Sequence, residues 1–399
     1  MWRTRPLSGL HPPIVLAALL VTALLLVACG GASVQSATPA PVAPDARASA
    51  VAGGPAEATI VSSSGGGERA GGAGCRTDPA PVFTHHYTDL DQIEFINPTI
   101  VTSGNWLKNR QYHKVVTDAD NHAPEVPVYA PVDAVATGVT YYLGQMRAWD
   151  GSVIELGQYD LRFRVSCEVT FGFDHVSRLA PPFASLAPAE PSRGTQDAEV
   201  PLSVAVEAGQ LLGWTSGTEP AHTWDFIVAN TTISNEFANQ ERYERSGDLG
   251  GLLHASCPYD YFAPAMAEAY RAKLGNWQGR AADVDCALSP DEPGALAGGW
   301  FLSPFDGSDR YALTDWGLVA TLAGDGYLDL NGPGVAIRVS DADPSFLDPA
   351  SMSGEHCYVH YQDGRWGYVQ ITSNGDLAAA FGAGSCPASL PEEHQIFYR

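Results

Sequence analysis

The sequence predicts a mainly β protein: a β-sandwich domain over residues 76–265, followed by a smaller antiparallel β domain with a leading helix over residues 266–399. Three observations carry that prediction. In residues 159–175 the odd positions Tyr159, Leu161, Phe163, Val165, Cys167, Val169, Phe171 and Phe173 are apolar, and Asp160, Arg162, Arg164, Ser166, Glu168, Thr170 and Asp174 alternate with them. That is the period-2 pattern of a sheet with one buried face. Elsewhere, short apolar runs are separated by Gly and Pro, which punctuate strands more readily than helices. Finally, Asp363-Gly364 and Asn374-Gly375 each sit between strand-like runs, the strongest short-range hairpin signal.

In chain order, the first element is a targeting segment. Arg3 and Arg5 precede an apolar run over residues 14–27. About 20 apolar residues are needed to span a bilayer as a helix, so residues 1–28 read as an export signal. The run ends in Leu26-Val27-Ala28-Cys29-Gly30, which resembles the lipobox of bacterial lipoproteins. That resemblance implies cleavage before Cys29, lipid on its sulfur and attachment to a bacterial membrane outside the cytoplasm; an ordinary secretory signal is the alternative. Residues 29–75 are dominated by Gly, Ala, Ser, Pro and Thr and bury too little apolar surface to fold. As a flexible tether they span roughly 35–40 Å.

Six further cysteines follow: Cys75, Cys167, Cys257, Cys286, Cys357 and Cys386. An even count in an exported chain points to disulfides. Cys357 and Cys386 lie in one short β segment and form the expected pair; Cys257 with Cys286 and Cys75 with Cys167 follow by elimination.

Within the central domain, strands are expected over residues 126–132, 135–143, 202–206 and 224–228. The alternating run 159–175 would exceed about 50 Å if straight, so a bend or bulge is expected, with Gly172 its place. His175 continues the apolar face, the position of a hydrogen-bonded core histidine. Residues 263–274 read as a helix with Pro264 in its first turn. No internal repeat is visible.

Charge narrows the function. With 22 Lys+Arg against 45 Asp+Glu, the net charge is −23, which argues against nucleic-acid binding and against electrostatic docking on anionic lipid. The segment 76–265 alone holds 11 basic and 24 acidic residues.

Val126-Pro127-Val128-Tyr129-Ala130-Pro131-Val132-Asp133, Phe173-Asp174-His175, Val206-Glu207-Ala208-Gly209-Gln210-Leu211-Leu212-Gly213-Trp214 and Ala221-His222-Thr223-Trp224-Asp225-Phe226 follow one another in an order that resembles the lysostaphin/LytM-type zinc peptidases, whose fold is the duplicated hybrid motif. The resemblance covers roughly residues 105–232. It implies a zinc ion held by a His and an Asp of one motif and a His of a later strand, with further His assisting the attacking water. Carried onto this chain, His113 stands for the first ligand, but the Asp expected four residues later is Thr117, with Asp118 next to it. His175 matches an assisting, catalytic His. The last-strand His pair falls on Thr223 and Asp225, with His222 one residue out of step. The candidate metal set is therefore His113, Asp118 and Asp225, an oxygen-leaning trio that binds zinc less selectively. These departures favour a non-catalytic copy without a cofactor, binding peptidoglycan or an envelope protein. An intact site would instead hold zinc and cleave peptidoglycan cross-links.

Overall fold

The alternation of residues 159–175 builds a hairpin instead of one long strand. The computed structural model describes residues 74–147, 152–193, 199–245, 251–275, 286, 291–307, 315–323 and 327–399; the signal segment, Cys29 and nearly all of the tether lie outside these. The first domain contains β1 (Ile93–Ile96), β2 (Val101–Ser103), β3 (Trp106–Lys108), β4 (Gln111–Val115), β5 (Val126–Tyr129) and β6 (Ala134–Arg147). It continues with β7 (Val153–Arg164), β8 (Val169–Val176), β9 (Arg178–Leu179), β10 (Glu199–Val206), β11 (Leu211–Thr215) and β12 (Thr223–Asn230). Seven strands form an antiparallel sheet in the order β1-β4-β12-β8-β7-β6-β10, and β5-β11-β9 form a smaller sheet. One core lies between them, with Val126, Val128, Leu179 and Leu212 of the small sheet against Leu161, Phe163, Phe171, Phe173, Trp224 and Phe226. This is a β-sandwich.

The turn between β7 and β8 explains why the alternation ran on unbroken. Phe163 pairs with Phe171, and Leu161 with Phe173, so both strands keep odd residues on the core side and parity survives the turn. Cys167 sits in that turn, bonded to Cys75. The bulge is not at Gly172. It lies two residues on, where Tyr159 pairs with Val176 but Leu161 with Phe173, leaving Asp174 and His175 opposite Asp160 alone. His175 takes the left-handed backbone (φ 67°) that the extra residue requires, and joins Asp174 on the face away from the core. Its expected place on the apolar face is thereby corrected. Gly172 has another role: a Cβ there would stand 2.8 Å from the Arg162 guanidinium.

The helical segments are short: α1 (Phe183–Leu186), α2 (Gln240–Arg245) and α3 (Pro264–Arg271). The expected boundary at 265/266 moves, because α3 packs into the first core. Its Tyr270 stacks on Tyr87 at 4.6 Å and on Tyr259 at 5.2 Å. Cys286, bonded to Cys257, is buried in the same core.

The C-terminal domain holds β13 (Gly298–Phe301), β14 (Trp316–Ala323), β15 (Tyr327–Gly332), β16 (Val335–Ser340), β17 (Glu355–Val359), β18 (Arg365–Ile371), β19 (Leu377–Ala383) and β20 (Gln395–Phe397). They form two four-stranded antiparallel sheets, each in sequence order. The sheets meet at both edges. Phe301 and Tyr398 exchange two backbone hydrogen bonds of 2.8 Å, and the Tyr361 amide donates to the Arg338 carbonyl at 3.0 Å. The interior is filled by side chains including Trp300, Leu318, Leu330, Ile337, Tyr358, Val369 and Phe397. Each sheet is a meander whose second strand carries Trp-Gly within its first three residues, at Trp316-Gly317 and Trp366-Gly367, a repetition that was not visible in the sequence. Cys357 of β17 bonds to Cys386 beyond β19. Among the described residues no helix is long and apolar enough to cross a membrane.

A third cluster joins the domains. Ile100, Leu107, Phe237, Tyr243 and Leu252 pack with Phe301, Trp316 and Val319, and the Asn105 side-chain amide donates to the Trp316 carbonyl at 2.8 Å. The β2–β3 hairpin thus ties the C-terminal domain to the stretch that enters β4.

Candidate functional site: a buried arginine–carboxylate cluster

On the face of the seven-stranded sheet away from the core, four neighbouring elements bring charge together. Asp174 and His175 come from the β8 bulge, and Asp160 and Arg162 from β7 beside it. Asp225 comes from β12, directly paired with Asp174. Arg110 stands just before β4. Its Nη1 donates to Asp174 Oδ2 and to Asp225 Oδ2, each at 2.8 Å. Arg162 donates a very short hydrogen bond to Asp174 Oδ1. His175 lies with Nε2 3.5 Å from Asp225 Oδ2 and Nδ1 2.8 Å from Gln158 Oε1, and the Tyr142 hydroxyl is 3.0 Å from Nδ1.

The electrostatics follow from burial and pairing. Burial disfavours the ionised form of Asp174, but Arg162 and Arg110 outweigh it and hold the carboxyl below its usual range. Asp160 has weaker cationic support; burial and the neighbouring Asp174 push it up to about 7. Burial also opposes charge on His175, yet Asp225, followed by Asp174 and Asp160, raises its pKa. For Arg110, the same opposition of burial by Asp174 and Asp225 ends with the guanidinium held more firmly ionised.

The expected metal trio is not brought together. His113 and Asp225 lie on opposite faces: His113 pairs with Trp224 and Asp225 with Tyr112 across the β4–β12 ladder. The His113 ring is wholly buried in an aromatic cage, its Nε2 2.6 Å from the Tyr87 hydroxyl and its ring 5.0 Å from Trp224. Burial lowers its pKa to about 4, so it is a neutral core histidine. Asp118 is in an exposed turn, where its Oδ1 accepts from the amides of Asp120 and His122 at 2.9 and 2.8 Å. His222 is buried in a left-handed turn (φ 51°) next to Gly217, where a Cβ would meet the His222 carbonyl carbon at 2.2 Å. Of the named residues, only His175 and Asp225 meet.

Zinc therefore does not fit the residues present. Asp225, the one predicted ligand at the cluster, is wholly buried and already holds Arg110. Among the described residues no three His, Cys, Asp or Glu side chains are grouped so as to hold a metal ion. Arg110, Arg162, Asp160 and Asp174 were missed as site residues. A signal was present: Asp160, Arg162 and Asp174 are charged residues on one face of the alternating run, which becomes a face of charged cross-strand neighbours once the run is folded as a hairpin.

Comparison with family models, curated proteins and solved structures finds no match to this chain. The likeness to lysostaphin/LytM-type peptidases rests on the quoted motifs alone.

Proposed function

We propose that the chain is an extracytoplasmic lipoprotein, held to a bacterial membrane through lipid on Cys29, whose metallopeptidase-like domain binds a cell-envelope ligand or partner protein without catalysing its hydrolysis. The observation that carries this reading is Arg110. Its guanidinium sits 2.8 Å from both Asp174 and Asp225, and Asp225 occupies the strand position that the family resemblance assigns to a metal ligand. The carboxylates thus already have their cation, covalently supplied by the chain. A catalytic zinc needs protein ligands and an open coordination position for water; a guanidinium offers neither a Lewis-acidic centre nor an activated water. Leu26-Val27-Ala28-Cys29-Gly30 supports the anchor. The disulfides Cys75–Cys167, Cys257–Cys286 and Cys357–Cys386 support an oxidising compartment.

The test is an assay of the purified full-length protein on cross-linked wall fragments, with and without added zinc. Retention of fragments or an envelope partner without cleavage is expected. Chelator-sensitive cleavage would establish the zinc endopeptidase instead. Separately, Cys29→Ala is expected to release the protein from membranes, and continued attachment would refute the anchor.

A further inference from the structure

The cluster is layered by charge. Its carboxylates form the floor, with side-chain exposures of 0% for Asp225, 4% for Asp174 and 8% for Asp160. Its cations lie nearer solvent, at 15% for Arg110, 22% for His175 and 36% for Arg162. Lys108, at the end of β3, joins them: its ammonium lies 4.4 Å over the Trp106 ring and feels Arg110, Asp225, Asp174 and Asp160. In a segment with 24 acidic and only 11 basic residues, three of the basic side chains are gathered over one group of strands. Such a concentration runs against the charge of the whole domain.

These cations are incompletely satisfied. The Lys108 ammonium has no hydrogen bond among the described residues, and burial and the Arg110 charge lower its pKa against the pull of Asp225, Asp174 and Asp160. Arg110 Nε is buried without a partner. Arg162 Nη2 is 3.8 Å from Asp160, outside hydrogen-bonding reach. His175 presents both ring nitrogens to oxygen, Nδ1 to Gln158 and Nε2 to Asp225, an arrangement that suits the imidazolium. With His175 protonated, four cationic groups face three carboxylates, of which Asp160, pushed up to about 7, is only partly ionised near neutral pH, an excess of at least one positive charge. Beside Lys108 stands Trp106, 46% exposed, offering an apolar surface.

We propose that this face is a binding site for a ligand bearing a single carboxylate, which would pair with Lys108 and the part-exposed Arg162 guanidinium while its apolar part lies against Trp106. A monoanion lies within that excess charge. A planar carboxylate also suits a guanidinium fork. The proposal rests on the reading of the domain as a binding module, and the two fail separately. Zinc-dependent cleavage would remove that reading whatever a carboxylate does, whereas a silent titration without cleavage removes only the carboxylate assignment.

The test follows the Trp106 indole resonance in the ¹⁵N-labelled full-length protein, assigned with Trp106→Phe, at constant ionic strength so that general screening is unchanged. Four probes are titrated: N-acetylalanylalanine, its C-terminal amide, glucuronate and inorganic phosphate. Saturable shifts with either acid and none with the amide are expected, and the acid that binds more tightly tells a peptide terminus from a sugar acid. Lys108→Met, which leaves the Arg–Asp network intact, is expected to weaken binding about tenfold, as is Arg162→Gln if the variant's melting transition stays cooperative. The proposal is overturned if neither acid shifts the resonance, if the amide or phosphate binds as tightly as the acids, or if Lys108→Met binds like the wild type.

Discussion

Arg110 serves two carboxylates from one nitrogen, so its removal takes the guanidinium partner from buried Asp225 and leaves Asp174 to Arg162 alone. Leaving buried charge uncompensated costs about 3–5 kcal/mol, and Arg110→Ala is expected to lose that much in urea unfolding, while a loss below about 1 kcal/mol would show that the network is not closed as described. His113 gives a signed pH dependence. Its pKa is about 4 in the folded chain against 6.5 when free, so between those values only the unfolded chain takes up the proton. The stability it contributes is complete above about pH 6.5 and is lost as pH falls towards 4, by about 3 kcal/mol. Asp160, pushed up from 3.8 to about 7, works in the opposite direction over the whole of that range. The difference between wild type and His113→Gln isolates the His113 contribution: the variant's stability profile from pH 7 to pH 4 is expected to fall less steeply.

Elements were legible where local chemistry fixes them. The Asp363-Gly364 and Asn374-Gly375 turns join β17 to β18 and β18 to β19 as their dipeptides require. Pro264 opens α3, and strands stand at each of the runs expected in the central domain. What stayed hidden was non-local. Period-2 alternation reports which face a residue takes but not where the chain turns back, so Phe163 and Phe171 looked like one strand while being partners across two. His175 left the expected face because a bulge resets parity. The cluster was hidden for a related reason: Arg110, Asp160, Asp174 and Asp225 are dispersed along the sequence and become neighbours only through the β4-β12-β8-β7 order. The Cys357–Cys386 bond, 29 residues apart, is an element-scale constraint on β17 to β19. Closing a loop of that size is worth about 3–4 kcal/mol. Replacing both cysteines with serine is expected to lower stability by that order, measured by chemical denaturation under non-reducing conditions.

At the scale of the molecule, two cores are linked by the cluster in which the β2–β3 hairpin meets Phe301, Trp316 and Val319. If that contact couples the domains, the protein unfolds in one calorimetric transition. Truncating the buried indole in Trp316→Ala removes about 3–5 kcal/mol and is expected to split it into two; two transitions already in the wild type would show that the domains are independent. The same hairpin carries Trp106 and Lys108 into the neighbourhood of Arg110, so what holds the domains together also positions Lys108 at the cluster. The central claim is that the carboxylates of Asp174 and Asp225 are held by a side chain of the protein itself. A crystal structure determined in the presence of excess zinc, with anomalous data at the zinc edge, tests it most directly. The account predicts Arg110 between Asp174 and Asp225 with no anomalous peak at the cluster; a zinc ion ligated by Asp225 or His175 with Arg110 displaced would contradict it.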